Sequence, residues 1–362
     1  MNRRKRVWQA IHHQETDFVP YNFHAVPPVW QRLCDHYGLA DTHEAMEFVG
    51  NHIVKVGSDF NVNPWADDVG EVQLTVSGGP MRTSLDEAGG LHIDEFGCVW
   101  DRRGSLPHPV AYPLAEEPDL DGYKFPDPYR VGRFDQARAL ADRYRGQVFL
   151  FGKLGMALFE RAWSIRGMTQ LLLDMVERPE FVEELLDRIL LEWNLPIIEL
   201  QLALGVDGFY FADDWGSKTR LLFSPKMWRR FIKPRLMIMY RRCQAAGVVI
   251  GQHSDGAVQS LFPDLIGLGL QVFNPLSPSI MDPPMVKETY GDQLCFYGGI
   301  DVEHTLPFGT PAEVRQEVRS RAEIMGRGGG YILQSSHTIL DDVPMENVVA
   351  YIEEVRAMAG LG

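Results

Sequence analysis

Short apolar runs recur along this chain between helical stretches, and they repeatedly end in a residue able to bind a metal, move a proton or hold an anion. VPYNFH ends at His24, VFLFGK at Lys153, DGFYFADD at Asp213 and Asp214, VVIGQHSD at His253 and Asp255, and GGYILQSSH at His337. Eight strands are predicted, over 18–23, 57–62, 147–152, 207–212, 247–252, 270–274, 294–299 and 330–334. Helical patterns lie between most of them; the stretch 167–204 carries apolar residues at three- and four-residue intervals, punctuated by Pro179 and Pro196. Strands alternating with helices argue for an α/β fold with a parallel sheet, and eight of them argue for closure into a (β/α)8 TIM barrel, one domain spanning 1–362. In such a barrel every strand points its C-terminal end at the same mouth, so polar residues remote in sequence converge on one pocket. The expectation is an enzyme.

The rhythm breaks over 64–146, which is rich in Gly, Pro and Asp and holds strand-like pieces such as EVQLTV and HIDEFGCVWDR. It follows the second predicted strand, on the catalytic face, and reads as an inserted lid or pocket wall. A formal net charge of −14 argues against nucleic-acid or anionic-membrane partners, which require clustered Lys and Arg. The basic run Arg3–Arg4–Lys5–Arg6 opens a short amphipathic stretch and reads as a solvated first helix rather than a targeting signal. Cys34, Cys98, Cys243 and Cys295 are scattered and form no C-x-x-C pair, as expected of free thiols in a cytoplasmic protein. No run of about 18 apolar residues marks a transmembrane helix.

The sharpest constellation is Gln252-His253-Ser254-Asp255-Gly256 together with His337. Two imidazoles and a carboxylate at strand ends form an open three-ligand set for zinc or another divalent metal; the same residues also suit proton transfer without a metal. Asp213 and Asp214 are adjacent carboxylates after a strand, so one of them faces the reacting group while the other caps or braces a neighbour. Gly298-Gly299-Ile300-Asp301 follows a further strand, its glycines allowing close approach of a ligand or simply the turn. Thr310-Pro311-Ala312-Glu313 is a capping box with proline at the first helical position. His24, Lys153 and Arg161 are candidate substrate contacts, the last two for a carboxylate. Trp65 and Trp215 are candidate walls of a mostly apolar pocket, and Asn63, Asn274 and Asp301 complete the substrate-binding set.

The ordered motifs DGFYFADDWGSKTRLLFSPKMWRRFIKPRL, GQHSDG, LQVFNPLSP, YGGIDVEHTLPFGTPAEVRQEV and GGGYILQSSHTILDDVPMENVVAYI resemble the uroporphyrinogen decarboxylase superfamily. The opening MNRRKRVWQAIHHQETDFVPYNF resembles that of its methyltransferase-like members. The resemblance implies a (β/α)8 barrel with its pocket at the C-terminal mouth. It departs from the true decarboxylases, whose arginine-rich opening motif and Asp after the second strand are replaced here by NFHAVPPVW and FNVNPWADD. In the zinc-dependent methyltransferase branch, methyl groups move between a corrinoid protein and another carrier, on a metal held by a His-x-Cys pair and a later Cys. Aligned by motif, His253, Asp255 and His337 take those three places. The harder ligand set suits a Lewis-acidic zinc that polarises an ether or alcohol oxygen.

The implied function is a methyltransferase or demethylase that moves a methyl group from a small methylated substrate to a corrinoid protein, with Asp213 or Asp214 managing a proton. The alternative is a decarboxylase of a small or porphyrinogen-type carboxylate, with Asp213 or His337 protonating the carbanion. A non-catalytic ligand-binding barrel ranks third. A homodimer is the default assembly.

Overall fold

The computed structural model describes residues 1–57, 75–76, 79–80, 90–101, 103, 107–116 and 118–361. Among them seven strands form one curled, wholly parallel sheet in chain order. They are β1 (Ile53–Val56), β2 (Phe149–Leu154), β3 (Gly208–Ala212), β4 (Val249–His253), β5 (Val272–Leu276), β6 (Cys295–Ile300) and β7 (Tyr331–Ser335). Six of these lie within two residues of a predicted strand. The expected strand at 57–62 is corrected: pairing with β2 begins at Ile53, and 58–62 lie outside the described residues. The physical reason is Lys55, whose charge interrupts a four-residue strand that is otherwise apolar.

Side-chain alternation along the strands sorts residues into two cores. Ile53, Phe149, Phe151, Tyr210, Val249, Val272, Cys295, Tyr297 and Ile332 share one cluster, enclosed by the sheet and plugged by Val7 and Ile11 of the first helix, Arg3–Ile11. The intervening Val54, Val56, Leu150, Leu154, Phe209, Phe211, Ile250, Phe273, Phe296 and Leu333 face the helical layer. Extending the inward parity towards the C-terminal ends leads to Lys55, Lys153, Asp214, His253, Asp255, Asn274 and Gln334. The alternation therefore decides which polar residues face the recess at that end of the sheet.

The predicted first strand, 18–23, is not a regular strand. Residues 20–26 nevertheless lie between the sheet's two edges. Tyr21 and Ala25 make parallel bridges to Leu333 and Ile339. On the other side His52 N donates to Tyr21 O at 3.2 Å, and Asn51 exchanges hydrogen bonds with the Phe23 backbone.

Within 64–146, the strands Leu91–Ile93, Val99–Asp101 and His108–Ala111 form a small antiparallel sheet. It leans on the helix Phe159–Arg166: Cys98 Sγ donates to Ser164 O, and Leu114 N donates to Ile165 O. Two buried ion pairs fasten it, Arg133 with Glu95 and Arg161 with Asp94. Asp135–Tyr144 is a helix that packs Ala137 and Ala141 inward next to β1. Most of 64–89, the first part of the expected lid or pocket wall over 64–146, is outside the described residues. The Thr310 capping box is present, with Glu313 N donating to Thr310 Oγ1 and Thr310 N to Glu313 Oε2. Gly298 and Gly299 serve backbone packing, because a Cβ on Gly298 would stand 2.8 Å from Leu276 N and one on Gly299 2.5 Å from the Tyr331 hydroxyl.

Candidate active site at the carboxyl ends of the strands

The loops after β3 and β4 are locked together by two glycines. A Cβ on Gly256, whose φ is +89°, would lie 2.3 Å from the carbonyl carbon of Gly216, so neither loop could approach the other with a larger residue there. Asp255 N donates to Asp214 Oδ1 at 2.8 Å, Trp215 N to Ser254 Oγ at 3.0 Å and Ala257 N to Ser217 O at 2.8 Å. This contact brings Asp214 and Asp255 to His253.

His253 has a fixed tautomer. Its Nδ1 is 2.6 Å from Asn274 Oδ1, and Asn274 Nδ2 donates to Tyr297 O at 2.8 Å, which orients the amide with its oxygen toward the ring. The Tyr210 hydroxyl donates to the same oxygen. In the neutral ring Nδ1 therefore carries the proton, and Nε2 presents a lone pair. That lone pair faces acceptors: Asp214 Oδ1 at 3.7 Å and Asp255 Oδ1 at 3.8 Å. His337 Nε2 lies 3.6 Å from Asp255 Oδ2, and ligand atoms of His253, Asp255 and His337 all fall within 4.8 Å of one another. Donors on a tetrahedral zinc stand about 3.4 Å apart. The three residues thus fit a divalent metal by donor chemistry and by spacing, with the imidazole–amide bond as the supporting outer contact that metal-binding histidines require. All four cysteines are free, buried and elsewhere, so no thiolate joins this set.

Around this cluster stand ionisable groups of both signs. Glu160 is held well above the usual carboxyl range by burial and by the fields of Asp214 and Asp213; Asp214 is raised by burial and lowered again by His253. Lys55, Lys153 and His24 join them, with Glu160 acting on Lys153. Burial pulls the Lys55 ammonium down to about 7, helped by Lys153. Burial likewise lowers Lys153, and it lowers His24 well below the usual histidine range, with Lys55 and Lys153 adding to the effect. His24 is open to solvent on its recess side yet ringed by these groups. His337 is lowered by burial against the opposing pull of Asp255.

Of the residues singled out by sequence, His24, Lys153, Asp214, His253, Asp255 and His337 are brought together here, with Asn274 directly behind. Asp213 turns the other way: it accepts hydrogen bonds from the backbone N–H groups of Leu158, Phe159 and Glu160 and from Trp215 Nε1, so it caps the helix Phe159–Arg166 across space. Burial raises it to about 6 despite these four donors. Trp215 is fully buried against Trp228 and does not wall the recess. Arg161 pairs with Asp94 over the Phe96 ring, and Asp301 accepts from Glu303 N and His304 N in its own loop. Asn63 and Trp65 are outside the described residues. Sequence reasoning missed Lys55 and Glu160. Strand parity was the available signal for Lys55, since Ile53 and Lys55 share a face.

The profile of the uroporphyrinogen decarboxylase (URO-D) family matches residues 94–358. Among curated proteins, the chain is 22% identical over 260 residues to the uroporphyrinogen decarboxylase of Psychromonas ingrahamii, covering 68% of this chain and 70% of that protein. It is 27% identical over 189 residues to that of Methylococcus capsulatus, covering half of each. Among solved structures it resembles a methyltransferase from Methanosarcina mazei, with a TM-score of 0.69, 17% identity and 99% of both chains covered. At that identity the likeness speaks for the fold, an α/β architecture with a curled parallel sheet. No helix among the described residues is long and apolar enough to cross a membrane. With well over half of its length matched by the family profile, the chain belongs to the uroporphyrinogen decarboxylase family.

Proposed function

We propose that this protein is a methyltransferase or demethylase that takes a methyl group from a small methylated substrate and passes it to a corrinoid carried by a partner protein. One observation carries the reading: the bare Nε2 of His253 faces Asp255 and His337 at distances that ask for a cation between them. His253, Asp255 and His337 would hold zinc, which supplies Lewis acidity toward the oxygen or other heteroatom bearing the methyl group.

The chain's own residues do the remainder. Asn274 keeps the His253 proton on Nδ1. Asp214, anchored by Asp255 N, places negative charge beside the metal ligands. Glu160, kept protonated by burial near Asp214, is the source of the proton returned to the leaving heteroatom. The same reading takes residues 20–25 as the eighth strand that closes the sheet into a (β/α)8 barrel, supported by their bridges to β7 and their bonds to residues 51–53.

A decarboxylase is the second reading, favoured by the curated relatives' names and by Lys55 and Lys153 in the recess. The test is transfer of methyl groups from methylated small molecules to free cob(I)alamin by the zinc-loaded enzyme, followed by loss of the cob(I)alamin absorption band. Transfer that disappears in His253→Ala supports the proposal. No transfer, with conversion of uroporphyrinogen to coproporphyrinogen instead, overturns it in favour of decarboxylation.

A further inference from the structure

Among the described residues, Lys55 meets aromatic faces and no carboxylate. Its Nζ lies 3.9 Å from the Tyr210 ring centre and 5.4 Å from that of Tyr297, and among the described residues no carboxylate or carbonyl reaches it. The layer beneath it is already satisfied. The Tyr210 hydroxyl and His253 Nδ1 share Asn274 Oδ1; the Tyr297 hydroxyl donates to Gln334 Oε1 at 2.6 Å, and Asn22 Nδ2 donates to the same oxygen. Each of these two amide oxygens is already shared by two donors, so neither is left over for an ammonium. Lys153 on the neighbouring strand adds positive charge instead of relieving it, and His24, held neutral, supplies no negative charge. A half-buried ammonium with aromatic faces but no carboxylate beside it costs free energy, and a methionine of similar length would be more stable on the same strand. A destabilising group held at the floor of a recess is the mark of a binding role.

We propose that Lys55, flanked by Lys153 and His24, is the anion subsite of this pocket, and that the substrate is a small methylated carboxylate. Its acid group lies against Lys55 while its methyl-bearing heteroatom faces His253, Asp255 and His337. The inference rests on the methyl-transfer reading for the second half of that statement alone. A singly charged carboxylate fits better than a phosphate, because Asp214 and Asp255, both beside His253, repel a dianion. Size follows from the Tyr210 ring, which touches both ends: its centre is 3.9 Å from Lys55 Nζ and 6.2 Å from the centre of the His253 ring. Together these distances hold Lys55 Nζ and the centre of the His253 ring within about 10 Å of each other, a span suited to a small molecule.

The experiment is a ligand-observed NMR titration of zinc-loaded protein with methoxyacetate and with its neutral counterpart 2-methoxyethanol, in wild type, Lys55→Met and Lys55→Arg. The expected result is binding of methoxyacetate at least about tenfold tighter than the alcohol in wild type. The preference is lost in Lys55→Met and partly kept in Lys55→Arg, with zinc content unchanged in all three. Equal binding of the two probes by wild type, no binding of methoxyacetate, or a preference that survives in Lys55→Met overturns the proposal. Repeating the titration on metal-free protein separates the two readings. A Lys55-dependent preference in a protein that never takes up zinc keeps the anion subsite and removes the methyl-transfer reading.

Discussion

Replacing Lys55 by methionine should make the folded protein more stable. In the unfolded chain this lysine titrates near its ordinary value of 10.5; in the fold, burial and Lys153 bring it down to about 7. At pH 7 the unfolded chain therefore binds more protons than the folded one. At 1.36 kcal/mol per pH unit the difference amounts to about 4 kcal/mol of stability forgone. Water in the recess solvates part of the charge, so the gain expected from Lys55→Met is roughly 2–4 kcal/mol. The sign with pH follows from the same linkage. Between pH 7 and 10.5 the unfolded state holds the extra proton, so wild-type stability rises with pH relative to the variant, and the gap closes as the unfolded lysine loses its charge. The groups facing Lys55 are Lys153 on β2, Tyr210 on β3, Tyr297 on β6, His24 and His337; neither imidazole changes charge in that range, whereas Lys153, itself lowered by burial, shares in the closing of the gap. Urea unfolding at pH 7 and at pH 10 measures both effects. A variant no more stable than wild type at pH 7, or a gap that stays constant to pH 10, would refute the claim that Lys55 is a half-buried cation with no carboxylate beside it.

Other perturbations separate residues that hold the site from residues that act in it. Asn274→Leu frees the His253 ring and should weaken zinc by about 10- to 100-fold, read by competition with a chromophoric chelator; unchanged affinity would show that the amide does not set the tautomer. Asp213→Ala strips the acceptor from three backbone N–H groups and Trp215 Nε1, and should lower stability by about 3 kcal/mol in urea unfolding, whereas loss of activity at full stability would make it a catalytic group. Gly256→Ala forces a Cβ to within 2.3 Å of Gly216 at positive φ, and should separate the Asp214 and Asp255 loops with loss of zinc binding; a zinc-replete variant would contradict that packing argument.

The legible parts of this chain are those where one physical signal dominates. β2 to β7 could be placed within two residues because each is an apolar run bounded by turn residues. Convergence of His253, Asp255 and His337 followed from strand ends sharing one mouth. β1 was displaced because a lysine in the middle of four residues reads as surface when its inward parity is not counted. The choice between Asp213 and Asp214 was open in the sequence for a related reason. Tyr210 and Ala212 point inward and Phe211 outward, so the alternation sends Asp214 to the recess and Asp213 to the helix. Parity alone could have made that distinction. The partners could not be foreseen: that Asp213 caps a helix some fifty residues earlier, or that Arg161 turns to Asp94, depends on long-range packing that no local pattern encodes.

The metal centre is the claim on which the functional reading stands. Elemental analysis of protein purified without chelator or metal-affinity resin should find about one zinc per chain in wild type and a large loss in His337→Ala, with both proteins folded by circular dichroism. Metal-free wild type that takes up no zinc on titration, or full zinc occupancy in the variant, would contradict it.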